Sequence, residues 1–170
     1  MQRLQMWLHR DHQSLLQLLQ WLAECDPNQQ ESACQSVLRR MHRHTDAHLC
    51  IEDELLFPLI ERDQKRHDIM MLRAAHGRIR HAIGKLNGAM INRDWPRFRI
   101  EARQLYEEFQ TLQSYEQQKL SDLIALALSA QDQDVLWQSV LAIRQRVGLP
   151  LPKLSESSTM PCPTPHSVGL

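Results

Sequence analysis

Leucine and isoleucine recur every three or four residues through four long segments of this 170-residue chain, and that period admits only a helix. In the first segment, about Gln2 to Glu24, Leu4, Leu8, Leu15, Leu19 and Leu22 share one stripe. Cys25-Asp26-Pro27-Asn28 breaks it. The second, about Glu31 to Ile60, repeats through Cys34, Leu38, Met41, Leu55 and Leu59, and Pro58 predicts a kink or a tightened end in its last turns. The third, about Arg66 to Leu86, carries Ile69, Leu72, Ile79, Ile83 and Leu86, with Asn87-Gly88 reading as a stop. Asp94-Trp95-Pro96 reads as the N-cap and first turn of a fourth, reaching about Ser129 through Leu105, Phe109, Leu112, Leu120 and Leu123. A shorter fifth helix, about Asp132 to Arg146, aligns Leu136, Val140, Ile143 and Val147.

The expected fold is therefore all-α: an up-down-up-down four-helix bundle with an extra C-terminal helix. Composition agrees, since 18 Gln and only 5 Gly, 3 Phe and 2 Tyr favour helix over strand. Five of the eight prolines crowd between Pro150 and Pro165, where no helix propagates. Residues 1–147 thus read as the bundle and 148–170 as an extended Pro/Ser-rich tail.

Twenty Lys and Arg balance twenty Asp and Glu, which argues against a strongly basic nucleic-acid binder or a polybasic membrane anchor. Between Arg62 and Arg103, 11 basic residues face 4 acidic ones, which reads as a solvated basic face. Cys25, Cys34, Cys50 and Cys162 are far apart in sequence and form no Cys-x-x-Cys pair. No apolar run approaches the ~18 residues of a membrane span, and the first residues hold no signal-peptide core. The expectation is a cytoplasmic protein with neither membrane nor nucleic acid as partner.

Function lies in what interrupts the stripes. His12 is four after Leu8 and seven before Leu19; His48 is seven from both Met41 and Leu55; Glu52 is seven before Leu59. His76 is four after Leu72, and Glu116 is four after Leu112. Three imidazoles and two carboxylates thereby face the interior from four separate helices. Burying such groups costs a few kcal/mol each unless something satisfies them. Mutual pairing, His48 with Glu52 and His76 with Glu116, is one solution and leaves a metal-free bundle that serves as an interaction module. A cation is the other. Imidazole nitrogen with carboxylate oxygen suits iron, manganese or zinc, and the i, i+4 spacing of His48 and Glu52 brings both to one helical face. The His-Glu-x-x-His pattern of zinc proteases and the Glu-x-x-His pair of ferritin-like bundles are both absent.

His48-Leu-Cys-Ile-Glu52-Asp-Glu-Leu-Leu-Phe57-Pro58 resembles the His-x-x-x-Glu-Glu...Leu-Phe-Pro segment of the hemerythrin-like (HHE cation-binding) family. Asp11-His12 and Ala75-His76 fall where that family keeps single ligand histidines, and the resemblance covers about residues 1–128. It implies a non-heme centre of one or two iron ions, with Glu52 and Glu116 bridging. It further implies His12 and His76 on one ion and His48 as the single histidine of the other. The family's fourth helix repeats His-x-x-x-Glu, but here Leu112 stands four before Glu116. An asymmetric centre follows, its second position weak, absent or completed by a substitute, for which His44, one turn before His48, is the first candidate.

The resemblance implies a small diatomic ligand such as O2 or nitric oxide, bound or sensed, or iron itself sensed, within an apolar lining of Leu8, Phe57 and Leu112. The catalytic alternative is redox chemistry at a di-iron centre, peroxide reduction or repair of nitrosative damage. No separate general base or nucleophile stands out, so binding is read ahead of turnover. The fifth helix leaves room for a homodimer.

Overall fold

A computed structural model describes residues 3–61 and 66–150. The Pro/Ser-rich segment from 151 onward lies outside the described residues, as does the expected tail over most of its length. Among the described residues every regular element is helical: α1 (Arg3–Glu24), α2 (Pro27–Cys50), a π-helical stretch (Ile51–Leu56), α3 (Phe57–Glu61), α4 (Arg66–Ile91), α5 (Trp95–Ala127) and α6 (Ala130–Arg146). α1 packs on α2 and α5, and α4 packs on α2 and α5, so the four long helices close a ring. The leucine stripes line its interior, with Leu15, Leu22, Met41, Leu72, Ile83, Leu105 and Phe109 all buried.

Local chemistry sets the corners. Asp26 accepts from the Asn28 N–H at 3.1 Å and caps α2, so the Asp-Pro pair that ends one helix opens the next at Pro27. Gln30 departs from helical dihedrals inside the first turns of α2, which places a kink just before the expected start at Glu31. Asp94 caps α5 through the Arg97 N–H at 3.2 Å. Ser129 and Asp132 cap α6 reciprocally, which moves its start to Ala130 from the expected Asp132.

One expectation fails and another is met in a different form. Asn87-Gly88 does not stop the third segment: α4 runs on to Ile91 and ends where Arg93 turns left-handed at φ 53°. Ala89 and Met90 are buried, and their packing outweighs the ~1 kcal/mol that an internal glycine costs a helix. Pro58, for its part, is preceded by a widened stretch rather than a tightened end. The Phe57 N–H reaches back five residues to the Glu52 carbonyl. In that register Pro58 would have to donate to the Asp53 carbonyl and has no N–H to give. Arg73 of α4 supplies the bond instead, its Nη1 3.3 Å from that oxygen.

The basic stretch is met by acids from other elements: Arg73 by Glu61, Arg78 by Glu108, Arg80 by Asp53, Lys85 by Glu101 and Arg93 by Glu31. Cys25 and Cys34, distant in sequence, meet at the α1–α2 corner as buried free thiols with their Sγ atoms 2.8 Å apart. Burial pushes both thiols above the ordinary cysteine range, so neither is the exposed thiolate that reacts readily.

Candidate metal centre

The bundle's four long helices and the π-helical stretch each send polar groups to one buried point. α1 contributes His12, α2 His48, the π stretch Glu52, α4 His76 and α5 Glu116, all buried. One ligand atom from each of His12, His48, Glu52 and Glu116 lies within 4.8 Å of the others. The two Nε2 atoms of His12 and His48 are 2.9 Å apart, and Glu116 Oε2 stands 2.8 Å from His12 Nε2. Glu52 Oε1 is 3.5 Å from His48 Nε2. The remaining carboxylate oxygens turn to His76: Glu52 Oε2 at 3.3 Å and Glu116 Oε1 at 3.5 Å from its Nε2.

The arrangement has two halves sharing two carboxylates. His12 and His48 face one oxygen of each; His76 faces the other oxygen of each. This corrects the pairing implied by the resemblance, in which His12 joined His76. The single histidine is His76, because α1 packs beside α2 but stands across the ring from α4.

Outer carboxylates hold the rings. Asp11 Oδ2 lies 2.9 Å from His48 Nδ1, and Asp53 Oδ1 lies 2.9 Å from His76 Nδ1. An Nδ1–H held in this way leaves the Nε2 lone pair of each ring facing the shared point. Asp53 is itself held by Arg80 at 2.8 Å, and Phe57 stacks on His76 with centroids 5.3 Å apart. Asp11 also contacts His44 Nε2 at 2.8 Å and accepts from Arg144 Nη1. His44 is therefore not a substitute ligand among the described residues: its Nε2 is spent on Asp11, one turn away from the cluster.

Neither outer carboxylate was assigned a role from sequence. Asp11 carried a signal, since it continues the buried Trp7–Leu15 stripe of α1 as well as His12 does. Arg144 carried another, lying four after Val140 and seven after Trp137 on the buried side of α6.

Mutual pairing does not satisfy the inner groups. Both oxygens of Glu52, both of Glu116 and Nε2 of His76 are buried without a hydrogen-bond partner of acceptable geometry. Leaving such atoms unsatisfied costs roughly 1–3 kcal/mol each, more when charged. Their mutual distances of 2.8 to 3.5 Å fit donors set around a common cation, since ligands about 2.1 Å from an ion at right angles lie about 3 Å apart. The donor set and its spacing thus fit a metal ion.

Electrostatics agree. Burial pulls His48 down, but the charges of Glu52 and Asp11 raise it to about 9. Burial likewise opposes His76, while Asp53, Glu116 and Glu52 lift it to about 11. Glu116, which burial would raise, is brought to about 2 by His12, His76 and His48. Asp11 is held well below the carboxylate range, its burial overcome by His44 and His48. The pocket is strongly electronegative and draws positive charge, whether protons or a metal cation.

The predicted lining divides between the halves. Leu8 borders a narrow cleft of about 40 Å³ over His12 and Glu116, together with Gln5, Gln113 and Leu120. Leu112 borders a wider groove of about 330 Å³ between α4 and α5, with Leu72, Ala75, Ile79 and Tyr115. Phe57 is buried on the ring of His76, away from both.

A family model described as the hemerythrin HHE cation binding domain matches residues 5–126, well over half of the chain. No curated protein and no solved structure gives a significant match. No helix among the described residues is long and apolar enough to cross a membrane.

Proposed function

The chain belongs to the hemerythrin HHE cation-binding family, and from that premise we propose that it holds iron at this centre in order to bind or sense a small diatomic ligand, O2 or nitric oxide. The observation that carries the reading is the set of buried oxygens of Glu52 and Glu116 that face the Nε2 atoms of three histidines without a hydrogen bond of acceptable geometry. His12, His48 and one oxygen of each glutamate would hold one ion. His76 and the other two oxygens would hold a second, less completely, because Leu112 offers no donor. Manganese or zinc would meet the same donors, and iron is preferred here for the redox response that such a role requires.

Iron when bound supplies reversible electron donation to a diatomic ligand. The protein's own part is to shape what reaches it. Leu8, Phe57 and Leu112 keep bulk water from the centre. The groove beside Leu112 lies between the two helices that carry His76 and Glu116 and would offer a small apolar molecule an approach. Asp11 and Asp53 hold His48 and His76 in the tautomer that presents Nε2 inward. The reading takes the four long helices in up-down-up-down order, which their short links and ring of neighbours support.

Iron and zinc content of the purified full chain, with visible spectra in air, after reduction and after adding nitric oxide, tests this. Stoichiometric iron and a spectrum that changes reversibly with the gas are expected. Purified protein free of iron, or iron that consumes peroxide or nitric oxide catalytically instead of releasing it unchanged, overturns the binding reading.

A further inference from the structure

α6 lies beyond residues 5–126, the part of the chain that the family model matches. It packs against α1 and against the π stretch that carries Glu52. Capping a bundle end would need only its apolar residues, and Leu136, Trp137 and Val140 serve that purpose. Arg144 does not. Its guanidinium is buried at 4% exposure, where an arginine is retained only with its donors filled. Nη1 donates to Asp11 Oδ1, while Nε and Nη2 both donate to the Pro150 carbonyl, at 3.1 and 3.0 Å. The fork is thus fixed at both ends.

Asp11 in turn uses its other oxygen on His48 Nδ1 at 2.9 Å, and the opposite nitrogen of that ring faces the centre. Of the three partners of Asp11 (His44, His48 and Arg144), Arg144 alone carries a fixed charge. The guanidinium and the imidazole therefore grip opposite oxygens of one buried carboxylate and fix its position between α6 and α2. A carboxylate so fixed orients the His48 ring through its Nδ1 and turns Nε2 to the centre.

We propose that Arg144 is a positioning residue for the metal centre, acting from outside the family domain through Asp11 upon His48. The inference rests on the metal-binding reading above. It assigns α6 a role in the strength of the His12/His48 half: a clamp on an outer carboxylate, one bond removed from the ligand.

Cobalt(II), titrated into the metal-free full chain, is the probe. Visible absorption gives the affinity, and the paramagnetically shifted, exchangeable ring N–H resonance of His48 reports its Nδ1 hydrogen bond directly. Arg144→Leu should weaken cobalt binding about 10- to 100-fold, the usual cost of losing an outer-shell partner, and should shift or broaden the His48 resonance. Arg144→Lys, which restores the charge, should recover most of the affinity. Asp11→Asn keeps the shape and should reproduce the Leu effect, and it decides the matter if Arg144→Leu does not fold. Unchanged affinity with an unmoved His48 resonance in these variants overturns the proposal, as does equal weakening by Leu and Lys with that resonance unmoved. Failure of the unaltered chain to bind cobalt is a separate result that overturns the metal-binding reading and this one with it.

Discussion

The two halves of the centre share the same pair of carboxylates and differ in nearly everything else. The first has two imidazoles and a cleft of about 40 Å³ with three glutamines in its wall. The second has one imidazole, and a mainly apolar groove of about 330 Å³ runs between the two helices that carry His76 and Glu116. Bridging groups alone therefore do not decide how firmly a cation is held. What completes the donor set on each side does, and here the two sides differ by one imidazole.

The comparison breaks most completely at the shared groups. Glu52→Ala removes an oxygen from both halves, so both equivalents of metal should be lost, by more than the about 10- to 100-fold cost of outer-shell changes. Equilibrium dialysis against iron(II) without oxygen reads this. Retention of one tight equivalent would mean that the halves do not share Glu52.

Next come the histidines, which separate the halves. His12→Ala and His48→Ala should behave alike and abolish the tighter equivalent. His76→Ala should leave it in place and remove only the weaker one. Metal analysis of the three variants checks this, and a His12→Ala profile that resembles His76→Ala would restore the pairing implied by the resemblance.

Leu112→His should act in the opposite sense, giving the deficient half a second imidazole four residues before Glu116. The second equivalent should bind about tenfold more tightly and the first should stay unchanged, as read by calorimetric titration. No gain in the second equivalent would show that the groove, not the missing donor, limits that half.

The smallest effect concerns protons in the metal-free protein. His48 and His76, raised to about 9 and about 11, contribute stability that is full below their ordinary value near 6.5. That stability is lost as pH rises through those raised values. Glu116, lowered to about 2, contributes in the other direction: fully above its ordinary 4.5, and lost as pH falls through about 2. The thermal midpoint of metal-free protein should be highest near pH 5 to 6.5 and decline on the alkaline side. Metal loading, which replaces the protons, should flatten that decline.

Much of this was legible in the chain. The leucine period places every long helix, and the five inner histidines and glutamates show themselves as polar residues on apolar stripes. Other parts depend on contacts between segments and escape a linear reading. The extent of α4 past Gly88 follows from the burial of Ala89 and Met90. The partner of His44 is Asp11, 33 residues earlier, and that of Arg144 is the same carboxylate, 133 residues away. Which histidine stands alone depends on helix adjacency, which spacing along one helix does not encode.

Glu52 and Asp53 are consecutive, yet both serve the ring of His76, one at Nε2 and the other at Nδ1. In a regular α-helix neighbouring side chains diverge by about 100°, too far apart to grip opposite edges of one imidazole with ease. The wide turn of Ile51–Leu56 narrows that divergence, and it does so by accommodating extra backbone. Excising a single residue there, for instance Glu54, would leave the helix free to rewind into ordinary geometry and would rotate everything downstream. The jaw that closes on His76 would then open, even though no ligand had been altered.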